Sequence, residues 1–280
     1  MNQRLIPLEQ VLKVQGEGFA LNGILTIAPN PTTRVTVIIP NSGLVHRVGT
    51  CRSAVRFARR LAISGITCLR LDLSNLGDSP SRWDTSHLSE QQRTIQELQA
   101  AMDALQEHGQ RFIIYGLCSG SQNGFKVAVD DQRVVGLMGV DHFGFRNNGY
   151  YWHLYRQKLL TWRPWWNLFK RLVLRQQTAP ADEAVDLGNG EFEWQYPAKE
   201  QIESGYRVLV DRGVKLLYIY TGDWIGEYSY ERQFFDMHST VDFQGLADIR
   251  FQPKMSHILT EPSSQDYVET ALLEFAHCFV

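Results

Sequence analysis

The stretch from Ile113 to Gly124, "IIYGLCSGSQNG", carries an apolar run straight into a turn built from small residues, with Cys118 between Gly116 and Gly120. A β-branched run closed by a small-x-nucleophile-x-small turn and followed by a helical pattern ("SQNGFKVAVDD", 121–131) describes a strand that turns sharply into a helix. Glycines are needed on both sides because strand and helix pass too closely there for side chains. The frame selects Cys118. Ser119 would be flanked by Leu117 and Ser121, and Ser121 by Ser119 and Asn123, so neither serine sits between glycines.

Outward from this turn the same alternation repeats. "GILTIA" (23–28), "RVTVIIP" (34–40), "ITCLRLDL" (66–73), "RFIIYG" (111–116), "RVVGLMGVD" (133–141), "VKLLYIY" (214–220) and "ADIRFQP" (247–253) are short aliphatic runs ending in turn signals. Such runs suit strands buried on both faces. Helical periodicity separates them in "RSAVRFARRLAISG" (52–65), "SEQQRTIQELQAAMDALQEHG" (89–109) and "SSQDYVETALLEFAHCF" (263–279). Strand and helix in alternation predict an α/β domain with a mostly parallel sheet covered on both faces. The alternation breaks between 142 and 212, where an aromatic, helix-like piece, "YYWHLYRQKLLTWRPWWNLFKRLVLRQQ", precedes a polar connection. An insertion of that length reads as a cap. The expected organisation is a core of 1–141 and 213–280 with a cap over 142–212.

Composition narrows the function classes. With 28 Lys and Arg against 30 Asp and Glu in 280 residues, no basic field exists to gather nucleic acid. The N-terminus lacks the apolar core of a signal peptide and no segment has the uncharged length to span a bilayer, so a cytoplasmic protein is expected. The four cysteines lie singly, without CxxC spacing, and read as free thiols rather than zinc ligands or disulfides.

On this architecture a triad runs in the chain order nucleophile, acid, histidine. Behind Cys118, Asp223 in "TGDWIGE" follows the strand "LLYIY" and is the first choice of acid; Glu227 and Asp141, the latter closing the preceding strand, are alternatives. His257, in the loop between the last strand and the C-terminal helix, is the expected general base. Two backbone N–H groups should stabilise an oxyanion, one from Ser119 and one from the loop Asn41, Ser42, Gly43. Asn41 and His46 stand beside that loop as candidate substrate contacts. Trp152, Tyr155, Trp162 and Trp166 in the cap either wall a substrate pocket or pack the lid onto its core. The interleaved Arg156, Lys158, Arg163, Lys170 and Arg171 offer a third reading, docking on a membrane surface or carrier protein.

These segments, with "NSGLVHRVG" and "DLSNLGDS", resemble the α/β hydrolase superfamily, and within it the serine-aminopeptidase-like group that includes exosortase-system-associated hydrolases. The resemblance extends over nearly the whole chain. The elbow of that group is commonly G-L-C-x-G, and "HRVG" and "GDS" fall on His46 to Gly49 and Gly77 to Ser79. It implies an α/β-hydrolase fold, with a mostly parallel eight-stranded sheet flanked by helices and an inserted helical cap. One departure is Asn75, where the group commonly has glycine. The implied chemistry is cleavage of an ester or thioester in a small-molecule or carrier-bound acyl substrate, without metal or cofactor. The alternatives are acyl transfer to an amine, alcohol or thiol, and a non-catalytic ligand-binding protein on the same fold.

Overall fold

The computed structural model describes residues 6–83, 88–159, 197–223 and 227–280. Its centre is an eight-stranded sheet of β1 (Leu8–Gly16), β2 (Phe19–Ile27), β3 (Val35–Pro40), β4 (Cys68–Asp72), β5 (Arg111–Leu117), β6 (Val134–Val140), β7 (Lys215–Thr221) and β8 (Ala247–Gln252). The spatial order is β1-β2-β4-β3-β5-β6-β7-β8. β1 and β2 form an antiparallel hairpin, β2 runs antiparallel to β4, and every pair from β4 through β8 is parallel. This is the expected α/β architecture.

Alternate residues of the strands feed two cores. Ile38, Leu69, Phe112, Ile114, Leu137 and Tyr218 point to one face, where helices α2 (Glu90–Asp103) and α3 (Ser119–Asp130) cover them. Val37, Cys68, Ile113, Met138, Val140 and Ile219 point to the other, under α1 (Ser53–Ile63). Each fully buried aliphatic or aromatic side chain contributes about 1.5–3 kcal/mol against the entropy of ordering the chain. Helix α2 starts where the sequence signals it: Ser89 and Gln92 form a reciprocal capping box.

Two features differ from the sequence reading. β1 is absent from the apolar runs of the sequence, because an edge strand with one wet face, "LEQVLKVQG", has no continuous apolar run. The segment after β6 holds α4 (Asn148–Leu159) and α5 (Lys199–Asp211). Within the range expected for the cap, α5 sends Ile202, Tyr206 and Leu209 into the core beside Phe125 of α3. The chain continues through α6 (Gln233–Met237) and ends in α7 (Pro262–His277), which joins α1 on the second face. Among the described residues no helix is long and apolar enough to cross a membrane.

Candidate active site

The turn after β5 has the geometry its glycines imply. Cys118 takes φ 52 and ψ −120, a region that side chains rarely occupy. A Cβ on Gly116 would lie 2.2 Å from the backbone of Gly120 and Ser121, and one on Gly120 would lie 2.8 Å from Ser42 Oγ. The helix therefore rides directly over the strand end, and the strained residue at the apex is the cysteine. The Cys118 amide donates to Val140 O at 2.8 Å, so the apex is tied to the end of the neighbouring strand. Cys118 is half-buried. Cys68 contrasts with it: burial pushes that thiol up to about 12, with Arg70 only partly opposing, and it is a core residue.

The register of β6 against β5 sets Val140 opposite Leu117, and so puts Asp141 next to Cys118 at the carboxyl edge of the sheet. Asp141 is completely buried and has φ 51. Its carboxylate accepts from Thr221 N, Thr221 Oγ1 and His257 Nδ1, each at 2.7 Å. Cys118 acts on the same ring, as the second group that raises it. With Nδ1 committed to Asp141, Nε2 is the nitrogen left to face the sulfur. Burial alone would lower the His257 pKa, but the hydrogen bond to Asp141, then the interaction with Cys118, and the charges on both outweigh it and raise it to about 9.

The first-choice acid is elsewhere. Asp223 is exposed and accepts from Ser256 Oγ at 3.3 Å. The Gly222 amide bonds to Gln252 O, and a Cβ there would meet the Pro253 backbone at 2.0 Å. That turn hugs the end of β8 and carries Asp223 out to water. Glu227 is engaged by Arg146, 3.3 Å away. The His–carboxylate pair thus forms with Asp141, the alternative whose strand end adjoins the elbow.

The loop after β3 lies against the elbow, and its parts are bonded to one another. Asn41 Oδ1 accepts from Leu73 N at 3.0 Å, and its Nδ2 donates to Gly43 O at 3.2 Å. One end of that amide grips the loop and the other ties it to the end of β4, so Asn41 holds the loop in shape. Val45 N donates to Ser42 O at 2.9 Å, closing a turn in which Gly43 has φ +50. Gly43 N donates to Ser119 Oγ at 2.6 Å, a direct bridge between the loop and the elbow. A cavity of about 30 Å³ lies behind the loop, lined among others by Asn41, Ser42, Val45, His46 and Leu117. It has room for a water or two.

His46 belongs to a polar cluster that sequence reasoning saw only in part. Arg47 ion-pairs with the fully buried Asp72 and, at 2.6 Å, with Asp78, while His46 Nε2 lies 3.3 Å from Asp78 and 2.9 Å from Arg47 Nη1. Ligand atoms of His46, Asp72 and Asp78 lie within 4.8 Å of one another. A cation would fit such a set by spacing, but the Arg47 guanidinium already joins both carboxylates, so the charge is met from within the chain. Asp72 also takes the amides of Arg47 and Asp78. A Cβ on Gly77 would sit 2.3 Å from the Asp72 carboxylate. The signal that finds this network is the "DLSNLGDS" motif, and its Asn75 has φ 66, which accounts for glycine being common there.

Of the aromatic candidates, Trp152 is 64% exposed on α4, and Tyr155 lies on the same helix. Trp162 and Trp166 lie outside the described residues.

No protein-family model matches the sequence, and no curated protein matches it. Among solved structures the chain is similar to an esterase from Pyrococcus furiosus (TM-score 0.61, 11% identity, 98% of this chain and 91% of that one). It is also similar to a dienelactone hydrolase from Anabaena variabilis (0.57, 16%, 98% and 99%) and to an α/β serine hydrolase homologue from Coxiella burnetii (0.57, 15%, 95% and 96%). At these identities the likeness is one of fold. The fold is that of the α/β hydrolases, with a cysteine at the nucleophile elbow and a His–Asp pair beside it.

Proposed function

We infer that the protein is a cysteine-dependent acyl hydrolase that cleaves an ester or thioester, with Cys118 as nucleophile, His257 as general base and acid, and Asp141 as the orienting carboxylate. The observation that carries this reading is the 2.7 Å hydrogen bond from His257 to the buried Asp141, with Cys118 at the strained apex of the elbow acting on the same ring. Asp141 holds the Nδ1 proton, so the proton given up by the thiol is taken at Nε2, and a ring raised to about 9 retains it there. The thiolate attacks the acyl carbon, and the Ser119 N–H, unpaired at the first turn of α3, meets the oxyanion. Collapse expels the alkoxide or thiolate leaving group, which receives its proton from His257, and leaves the acyl group on sulfur. Water then gives a proton to His257 and attacks the thioester, releasing the acid and restoring the thiol.

A thioester intermediate is also open to amines, alcohols and thiols, so transfer to such an acceptor is the second reading. The exposed Trp152 and Tyr151 on α4 favour an acyl substrate with a sizeable apolar part, free or carrier-bound. Membership of the serine-aminopeptidase-like group rests on the G-L-C-x-G elbow and the Asp72 to Ser79 motif. A cytoplasmic setting suits an enzyme whose nucleophile is a free thiol. The test is intact-mass spectrometry after exposure to a panel of p-nitrophenyl esters and acyl thioesters. An acyl adduct that maps to Cys118, decays in water and is absent in Cys118→Ala is expected. Equal turnover by Cys118→Ala would refute the assignment, and faster decay with an added amine than in water alone would favour transfer.

A further inference from the structure

We propose that the hydroxyl of Ser119 is the second oxyanion donor of this site, in the place where a loop amide was expected; the assignment rests on the nucleophilic role of Cys118. A tetrahedral oxyanion needs two converging donors. The first is the Ser119 amide, which helix geometry leaves without a partner at the start of α3. The loop amide nearest the elbow is that of Gly43, and it is already committed to Ser119 Oγ at 2.6 Å. It is also held in place, because the carbonyl of its own peptide, Ser42 O, accepts from Val45 N at 2.9 Å, and Asn41, anchored to Leu73 N, grips the carbonyl of the next. The amide cannot turn toward a substrate without breaking the loop.

A hydroxyl that accepts from an amide still has its own proton to give. Among the described residues no acceptor engages the Ser119 O–H, in contrast to Ser121, whose hydroxyl pairs with the buried His142 at 2.7 Å. Accepting from Gly43 N–H polarises the Ser119 O–H bond and makes it a better donor, so the loop dipole is relayed through one oxygen. Ser119 is the residue directly after the nucleophile, which puts both donors on one residue and ties the loop to them. No covalent step is added: the hydroxyl keeps its proton throughout and gives it only as a hydrogen bond.

Two reactions of Cys118 separate this role from the rest of the site. Alkylation by iodoacetamide needs the thiolate but forms no oxyanion, whereas acylation by p-nitrophenyl acetate passes through one. Both are measured on the full chain with Ser119→Ala and Ser119→Thr. Ser119→Ala is expected to slow acylation at least tenfold, in line with the loss of one oxyanion donor, with alkylation unchanged within twofold. Ser119→Thr, which keeps a hydroxyl, should recover most of the acylation rate. Acylation of Ser119→Ala at or above the wild-type rate overturns the proposal, because the hydroxyl then only blocks the Gly43 amide. Equal loss of alkylation and acylation overturns it too, since the side chain then shapes the elbow and is no donor. Wild-type protein that p-nitrophenyl acetate does not acylate defeats the nucleophilic role itself, and the donor with it.

Discussion

Replacing Asp141 by asparagine tests the geometry of the site most directly. The carboxylate is fully buried, receives three hydrogen bonds of 2.7 Å, and is the main reason His257 is raised from 6.5 to about 9 against its own burial. That rise corresponds to roughly 3 kcal/mol favouring the protonated ring. Asparagine is nearly isosteric, and its oxygen can still accept from Thr221 N–H, but its NH₂ then faces His257. The ring must accept at Nδ1 and carry its proton on Nε2, the nitrogen that should take the thiol proton. Acylation of Cys118 by p-nitrophenyl acetate at pH 7 is expected to fall by about 10²- to 10⁴-fold. Asp223→Asn should remain within about twofold of wild type, because an exposed carboxylate touching only Ser256 contributes little. The linkage has a definite sign. A folded pKa above the unfolded value means the His257 contribution to stability is fully present below about pH 6.5 and is lost as pH rises through about 9. Urea unfolding should therefore show wild type losing its advantage over Asp141→Asn across that window. A variant at position 141 with more than a third of wild-type acylation, or an equal loss at 223, refutes the reasoning.

Two further perturbations probe the frame around the site. His238 is fully buried, and burial, only partly opposed by Glu203, pushes it down to about 4. It is neutral when folded, so stability should fall as pH drops from about 6.5 towards 4, and His238→Phe should flatten that dependence in urea midpoints at pH 7 and 4.5; an unchanged slope would contradict this. Gly116→Ala places a methyl 2.2 Å from the backbone of the next helix. It should cost about 3 kcal/mol, read as a melting temperature lower by roughly 5–10 °C, and an unchanged melting temperature would show that the elbow yields more easily than its glycines imply.

What the sequence displays well is what depends on neighbours along the chain. The buried parallel strands announce themselves as apolar runs, the elbow by its two glycines, and His257 by lying between the last strand and the last helix. What it hides is registration between distant segments. Asp223 and Asp141 each follow a strand, and nothing local shows that Val140 sits opposite Leu117 while Gly222 folds against Pro253. The edge strand β1 escapes for a related reason: its character comes from pairing with β2, residue by residue from Leu8 to Gly16. The Gly43 to Ser119 bridge joins residues 76 positions apart and has no local signature, while the Arg47 cluster shows only its "DLSNLGDS" half and not the Arg47 partner 25 positions away. Asn75 is an intermediate case, since asparagine is among the few residues that tolerate a left-handed backbone.

The position of Asp141 has a physical logic beyond proximity. A carboxylate in water beside a histidine is screened, and such a pair is worth about 0–1 kcal/mol. Within the sheet edge a charge-assisted hydrogen bond is worth about 1.5–3 kcal/mol, provided the buried charge has its other lone pairs satisfied. Thr221 supplies that provision through its amide and hydroxyl, and Thr221 closes the strand that lies between the carboxylate and the histidine loop. The histidine loop is itself fastened to β8 and α7, through Met255 N to Gln252 O and Gln265 Nε2 to Leu259 O. Cys118, Asp141 and His257 thus hang from β5, β6 and β8, with β7 bracing Asp141, and their spacing is inherited from strand registers that the two hydrophobic cores hold rigid. An acid on the loop after β7 would have to be ordered by that loop alone. An acid at the end of β6 is placed by the sheet, and it needs only the unusual backbone angle at Asp141 to aim it at His257.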